Sequence, residues 1–199
     1  MDKNRIEAFS DGIFGVAATL LVVELRLPDA PTVAQGILLV FPKLCVFVLS
    51  FLIVAVYWVA HHTMFDFVSR VDRGLLWLNN FTLLGVAALP FPTAVLGSHP
   101  LDPTAIIVYA TALSFINCTG VLAWRYVSRN TALCEAKLTT RLARAVTWVH
   151  LAPVAGYAVA AGVAFVQPRI SLVILGAVPL FFIFPNRVLR KALGQGSAF

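Results

Sequence analysis

Six stretches of the chain carry almost no charge, at about residues 8–27, 37–60, 75–96, 104–124, 142–166 and 170–186. Turn formers and charged residues separate them: LPDAPTVAQG, DFVSRVDRG, GSHPLDP, RYVSRNTALCEAKLTTRLAR, QPR and the tail PNRVLRKALGQGSAF. Each stretch is close to the roughly 17–25 residues that cross a hydrocarbon layer as a helix. The pattern therefore predicts an all-α integral membrane protein with six transmembrane helices, at about 5–27, 37–63, 75–96, 104–127, 142–166 and 170–190. No internal repeat, low-complexity segment or extramembrane domain interrupts it, so residues 1–199 are expected to form one membrane domain. Residues 125–141 should continue the fourth and fifth helices. Pro90 and Pro92 should kink the third near its outer end. Pro153 and Pro179 are kinks that a membrane helix tolerates, and Ala152, Gly156, Ala160 and Ala161 give the fifth a small-residue packing face.

The first stretch is unusual. In RIEAFSDGIFGVAATLLVVELRLP, residues 5–28, only Gly12 to Val23 lie between the carboxylates Asp11 and Glu24. Twelve residues make a helix of roughly 18 Å, well short of the ~30 Å layer. One reading extends the helix to about 5–27, with both carboxylates at or just inside the interfaces. The other makes Ser10 or Asp11 the N-cap of a helix that starts at Gly12. At 100° per residue, Arg5, Phe9, Gly12, Val16, Thr19, Leu20, Val23 and Leu27 fall within about 60° of Val16, a single stripe. Asp11 lies about 140° and Ser10 about 120° from it, so this polar pair should point into the protein, where an ionisable group needs a partner. The second stretch ends VYWVAHHTMF and the third begins RGLLWLNNF. Trp58, His61, His62, Trp77, Asn79 and Asn80 there offer indole, imidazole and amide groups at the depth of Asp11. Glu24 faces an outer vestibule, or snorkels to the interface and pairs with Arg26.

Composition agrees with the membrane reading. Of 199 residues 60% are hydrophobic and 12% charged, and mean hydropathy is +0.88; soluble domains carry about a quarter charged residues. The N-terminus mixes Lys3 and Arg5 with Asp2 and Glu7, and no small-residue cleavage site follows, so the first apolar segment is expected to be retained. With the termini on the cytoplasmic side, Lys3, Arg5, Arg70, Arg73, Arg125, Arg129, Lys137, Arg141, Arg144, Arg187, Arg190 and Lys191 lie inside, against Arg26, Lys43 and Arg169 outside. The positive-inside rule selects that orientation. It accounts for the net charge of +6 without a nucleic-acid partner. Cys45, Cys118 and Cys134 are odd in number and pattern as free thiols. Adjacent histidines diverge on a helix, and no HExxH or CxxC spacing occurs, so neither a metal nor a cofactor is expected.

Arg5, Phe9, Ser10 and Asp11 form the RxxxFSD signature that opens the transmembrane protein 175 family, the endolysosomal potassium channels and their prokaryotic relatives. The chain resembles that family through GIFGVAATLLVVEL, YWVAHH and LLWLNNFTLLGVAALPFPTAVLG. The likeness covers the first three helices; the last three match in number, length and hydropathy. It implies a prokaryotic-type homotetramer of six-helix subunits in the plasma membrane. The first helices would line a central pore narrowed by Val16, Leu20 and Val23, with Thr19 as a hydroxyl ring. Val16 departs from the longer Ile or Leu usual at its position. Arg5, Phe9, Ser10, Asp11, Trp58, His61 or His62, and Asn79 would form a structural network. The activity implied is a leak of potassium, with other monovalent cations or protons as further permeants.

Two other classes compete. A proton-coupled secondary transporter would use Asp11, but such folds show paired repeats and helices broken near the midplane, and neither pattern is visible. An enzyme using His61 or His62 with Asp11 would need a nucleophile or metal set, and none accompanies them.

Overall fold

The computed structural model describes residues 2–135 and 138–183, with side chains through 179. Lys137, Arg187, Arg190 and Lys191 of the charge count, and the expected end of the sixth helix near 190, lie outside the described residues. The elements are α1 (Lys3–Leu20), a 3-10 turn (Leu21–Glu24), α2 (Val33–Phe65), α3 (Arg73–Ala88), α4 (Pro90–Ser98), α5 (Pro103–Arg129), α6 (Thr140–Val163) and α7 (Pro168–Ile183). Five stretches are long and apolar enough to cross a membrane, α3 and α4 together counting as one; α7 is apolar but shorter.

Helix starts follow from short polar side chains. Asp2, Thr32, Asp72, Asp102 and Thr139 each accept a hydrogen bond from a backbone N–H of the turn they precede, which satisfies an otherwise unpaired donor. This corrects the capping reading of FSDG. Asp2, not Ser10 or Asp11, caps α1, and the helix runs through Gly12 without a break. At roughly 1.5 Å per α-helical and 2.0 Å per 3-10 residue, Lys3–Glu24 spans about 35 Å. Residues 25–27, expected to be helical, are not. The third expected helix is two, because Pro90 and Pro92 lack the N–H groups that would close the ladder across Leu89. Residues 125–141 do not simply continue their flanking helices. After Arg129 the chain pairs with the α2–α3 loop, Ser69 N–H donating to the Leu133 carbonyl at 2.8 Å and Glu135 N–H to the Phe67 carbonyl at 2.9 Å.

Two apolar cores lie in the bundle. The larger joins Phe14, Ala17 and Leu21 of α1 to residues of α2 through α7, including Ile53, Leu83, Leu96, Tyr109, Leu113, Tyr157 and Leu175. The smaller packs Phe65, Leu75, Trp124, Val127 and Leu142 beneath the paired loops, and the Trp124 indole N–H donates to the Ala143 carbonyl at 3.0 Å. Gly156 lets α7 approach α6: a Cβ there would stand 2.7 Å from Val178 Cγ2.

Candidate functional site

The spacing of apolar residues divides α1 into two faces. Ile6, Ser10, Phe14 and Ala17 of α1, then Leu21 of the 3-10 turn, recur every three or four residues and are buried against the bundle. Arg5, Phe9, Gly12, Val16, Thr19, Leu20 and Val23 are exposed on the other side. No group of the subunit covers the aliphatic members: Val16 is 57%, Leu20 46% and Val23 53% accessible. Beside them Ala8, Gly12, Gly15 and Thr19 form a parallel row of small exposed side chains, and a Cβ at either glycine would meet nothing within 4 Å.

The buried face is tied down by a hydrogen-bonded chain whose direction can be worked out. Ser10 Oγ donates to the Ile6 carbonyl at 2.8 Å, so its oxygen is free to accept from Asn79 Nδ2 at 3.1 Å. That orients the Asn79 amide with Oδ1 toward His61 Nε2, 2.7 Å away. A carbonyl oxygen can only accept, so His61 carries its proton on Nε2. The ring sits between Phe14, with centroids 5.5 Å apart, and Phe65, at 4.6 Å. Ser10 and Asn79 are buried as completely as any apolar core residue.

Other expected members are placed differently. Asp11 is exposed, which corrects the expectation that it points into the protein. α2 runs along the flank of α1, and the Trp58 indole N–H reaches Asp11 Oδ1 at 2.8 Å on the bundle's surface. His62 faces outward and stacks on Trp58 with centroids 6.0 Å apart, so of the two histidines it is His61 that meets Asn79. Arg5 and Phe9 are exposed and outside the chain of bonds, and Arg5 has no ion pair or side-chain hydrogen bond among the described residues. Trp77, also exposed, lies against Phe81. Glu24 forms no ion pair with Arg26 among the described residues. It lines a small cleft of about 20 Å³ together with Lys43 and Thr93. Lys43 lies within α2, its stem over Gly97, rather than in a loop. The Thr19 hydroxyl lies 2.9 Å from the Val16 carbonyl and 3.1 Å from that of Gly15, turned back on its own helix.

Sequence reasoning missed two buried polar clusters. Ser50 pairs with the Tyr109 hydroxyl at 2.8 Å and accepts from Thr93 at 3.0 Å, joining α2, α4 and α5. Asn117 Nδ2 donates to the Tyr57 hydroxyl at 2.6 Å. Lone polar residues inside apolar runs were the available signal, since such groups are buried in a membrane only with partners.

Residues 5–90 match the family model described as endosomal/lysosomal potassium channel TMEM175. A Streptomyces collinus protein named as a potassium channel is 33% identical over 190 residues, covering 92% of each chain. The crystal structure titled as a lysosomal potassium-selective channel TMEM175 homolog from Chamaesiphon minutus superposes with a TM-score of 0.81 at 29% identity, covering 94% of this chain and 97% of that one. The Bos taurus protein named endosomal/lysosomal proton channel TMEM175 is 31% identical over 130 residues, 58% of this chain and 27% of its own length.

Proposed function

Because the chain belongs to the TMEM175 family, we propose that it is a potassium-permeable channel of leak type, with a pore made by α1 from four copies of the subunit. The observation that carries this reading is the contrast between the two faces of α1. One is fixed by Ser10, Asn79 and His61; the other presents Val16, Leu20 and Val23 to nothing in its own subunit. The relatives' names and the solved homolog support potassium as the permeant ion, and the bovine relative's name supports protons as a second one.

Each aliphatic ring would narrow the path and offer an ion no oxygen ligand. A passage lined this way expels water before it is sterically closed, so the rings both restrict and gate the flow. The row Ala8, Gly12, Gly15 and Thr19 suits close approach of a neighbouring α1, since small residues let helix backbones meet in lipid. With that row on the neighbour and the aliphatic stripe on the axis, cyclic symmetry closes the ring. Cytoplasmic termini and a place in the plasma membrane follow from the distribution of Lys and Arg.

A potassium-gradient flux assay on purified protein in liposomes, with sodium and caesium for comparison, tests this. Leu20→Ala is expected to raise the leak or loosen selectivity. Unchanged flux in alanine variants of Val16, Leu20 and Val23 would overturn the pore assignment, and flux that needs a proton gradient as driver would favour a coupled transporter instead.

A further inference from the structure

We propose that Thr19 sets the permeation aperture by shaping its own helix, not by offering its hydroxyl to the ion; this rests on the pore reading above. Three observations meet at one place. The Thr19 hydroxyl hydrogen is shared between the Val16 and Gly15 carbonyls, at 2.9 and 3.1 Å. Back-bonding of this kind bends helices, because a carbonyl that accepts from a side chain is pulled from the backbone ladder. Immediately afterwards the α-helix gives way to the 3-10 turn Leu21–Glu24, closed by the Leu25 N–H on the Val22 carbonyl at 3.0 Å. Leu20 already has the dihedrals of a 3-10 residue, φ −66° and ψ −26°. Finally Leu21, 1% accessible, anchors the turn in the core.

The consequence for the aperture is geometric. A 3-10 turn advances about 120° and 2.0 Å per residue, an α-helix about 100° and 1.5 Å. Over the three residues from Leu20 to Val23 the two forms differ by roughly 60° and 1.5 Å. In the 3-10 form Val23 stands directly over Leu20, since side chains at i and i+3 eclipse, and the two rings stack along one line. In the α form Val23 swings off that line. The β-branched pair Val22 and Val23 lowers the α preference of the turn, and the Thr19 back-bond decides the balance. Thr19 is thus a positioning residue for the Val23 ring.

The test separates this role from direct contact with the ion. Cys45, Cys118 and Cys134 are replaced by alanine and Val23 by cysteine, and the rate of oxidative cross-linking between subunits is measured in liposomes beside the potassium-to-sodium flux ratio. Thr19→Val keeps the shape without the hydroxyl, Thr19→Ser keeps the hydroxyl, and Thr19→Ala guards against misfit of the valine. The expected result is cross-linking slowed roughly tenfold with Val or Ala, since a disulfide needs Cα atoms within about 7 Å, a flux ratio that falls with it, and rescue of both by Ser. A changed flux ratio with unchanged cross-linking would mean that the hydroxyl meets the ion directly, and would overturn the proposal while leaving the pore intact. Failure of Val23→Cys to cross-link in every background would overturn the pore reading itself.

Discussion

Asn79→Leu should weaken the subunit far more than loss of one exposed hydrogen bond. The substitution removes both bonds of the bridging amide, at 2.7 Å to His61 and 3.1 Å to Ser10. Ser10 keeps its bond to the Ile6 carbonyl, so it loses only a donor to its oxygen, about 0.5–1 kcal/mol. His61 is left with an unpaired N–H between Phe14 and Phe65, and an orphaned buried donor costs about 1–3 kcal/mol. The expected loss is therefore about 2–3 kcal/mol. His61→Phe alone orphans the Asn79 carbonyl and should cost about 1–2 kcal/mol. The double variant leaves neither group unpaired, and cross-helix bonds in membranes average only ~0.6 kcal/mol once both partners are gone. It should thus be more stable than the sum of the singles and close to or above Asn79→Leu alone. Reversible unfolding in mixed detergent micelles, with secondary structure as the signal, measures all three. A loss below about 0.5 kcal/mol for Asn79→Leu, or strict additivity, would refute the idea that this chain of bonds holds α1 to the bundle.

Two further outcomes follow from the cytoplasmic ends of the helices. Asp72 accepts from the Leu75 N–H at 2.8 Å and the Tyr126 hydroxyl at 2.7 Å. The backbone bond foremost, and the hydroxyl with it, hold its carboxyl below the ordinary value of 3.8. A group with a depressed folded value stabilises fully above its unfolded value and loses that contribution as pH falls through the folded one. The wild type should therefore lose stability relative to Asp72→Asn as pH is lowered below about 4; parallel stability curves from about pH 6 to 3 would contradict this assignment. At Gly74 an added Cβ would stand 2.5 Å from the Tyr126 hydroxyl oxygen and 2.8 Å from Cζ. Gly74→Ala should displace that ring and cost about 1–3 kcal/mol in thermal unfolding, and an unchanged midpoint would show that the ring moves freely.

What the sequence could say depended on how far its signals reach. Hydropathy located the helices because the bilayer imposes length and apolarity on each span separately. The uncovered stripe of α1 was legible for a similar reason: a periodicity of 3.6 needs only one helix. The buried partner of Ser10 was legible only as a short set of polar residues. Choosing among them required the tilt of α2 against α1, which puts Trp58 on the flank and His61 in the interior. Asp11 shows the limit of a helical wheel. Its angle is set by the sequence, but whether that angle faces core or surface is set by where the second helix crosses. The 3-10 turn was hidden because nothing in LLVVEL forbids an α-helix. It depends on Thr19 turning its hydroxyl inward and on Leu21 finding a core pocket, both tertiary events.

The same two residues explain why α1 is held more firmly at one end than its length requires. From Ile6 to Ala17 the buried face is a regular α seam, and the Ser10–Asn79–His61 bonds fix its rotation about its own axis. A helix held only by apolar contacts could turn by a fraction of a turn at small cost, since lipid and side chains are equally apolar. Directional bonds remove that freedom at the cytoplasmic end. At the other end only Leu21 is anchored, and the backbone departs from the α ladder there. A change in the turn would therefore move Val23 without turning Val16, so the outer ring is the part of the stripe that this subunit leaves adjustable.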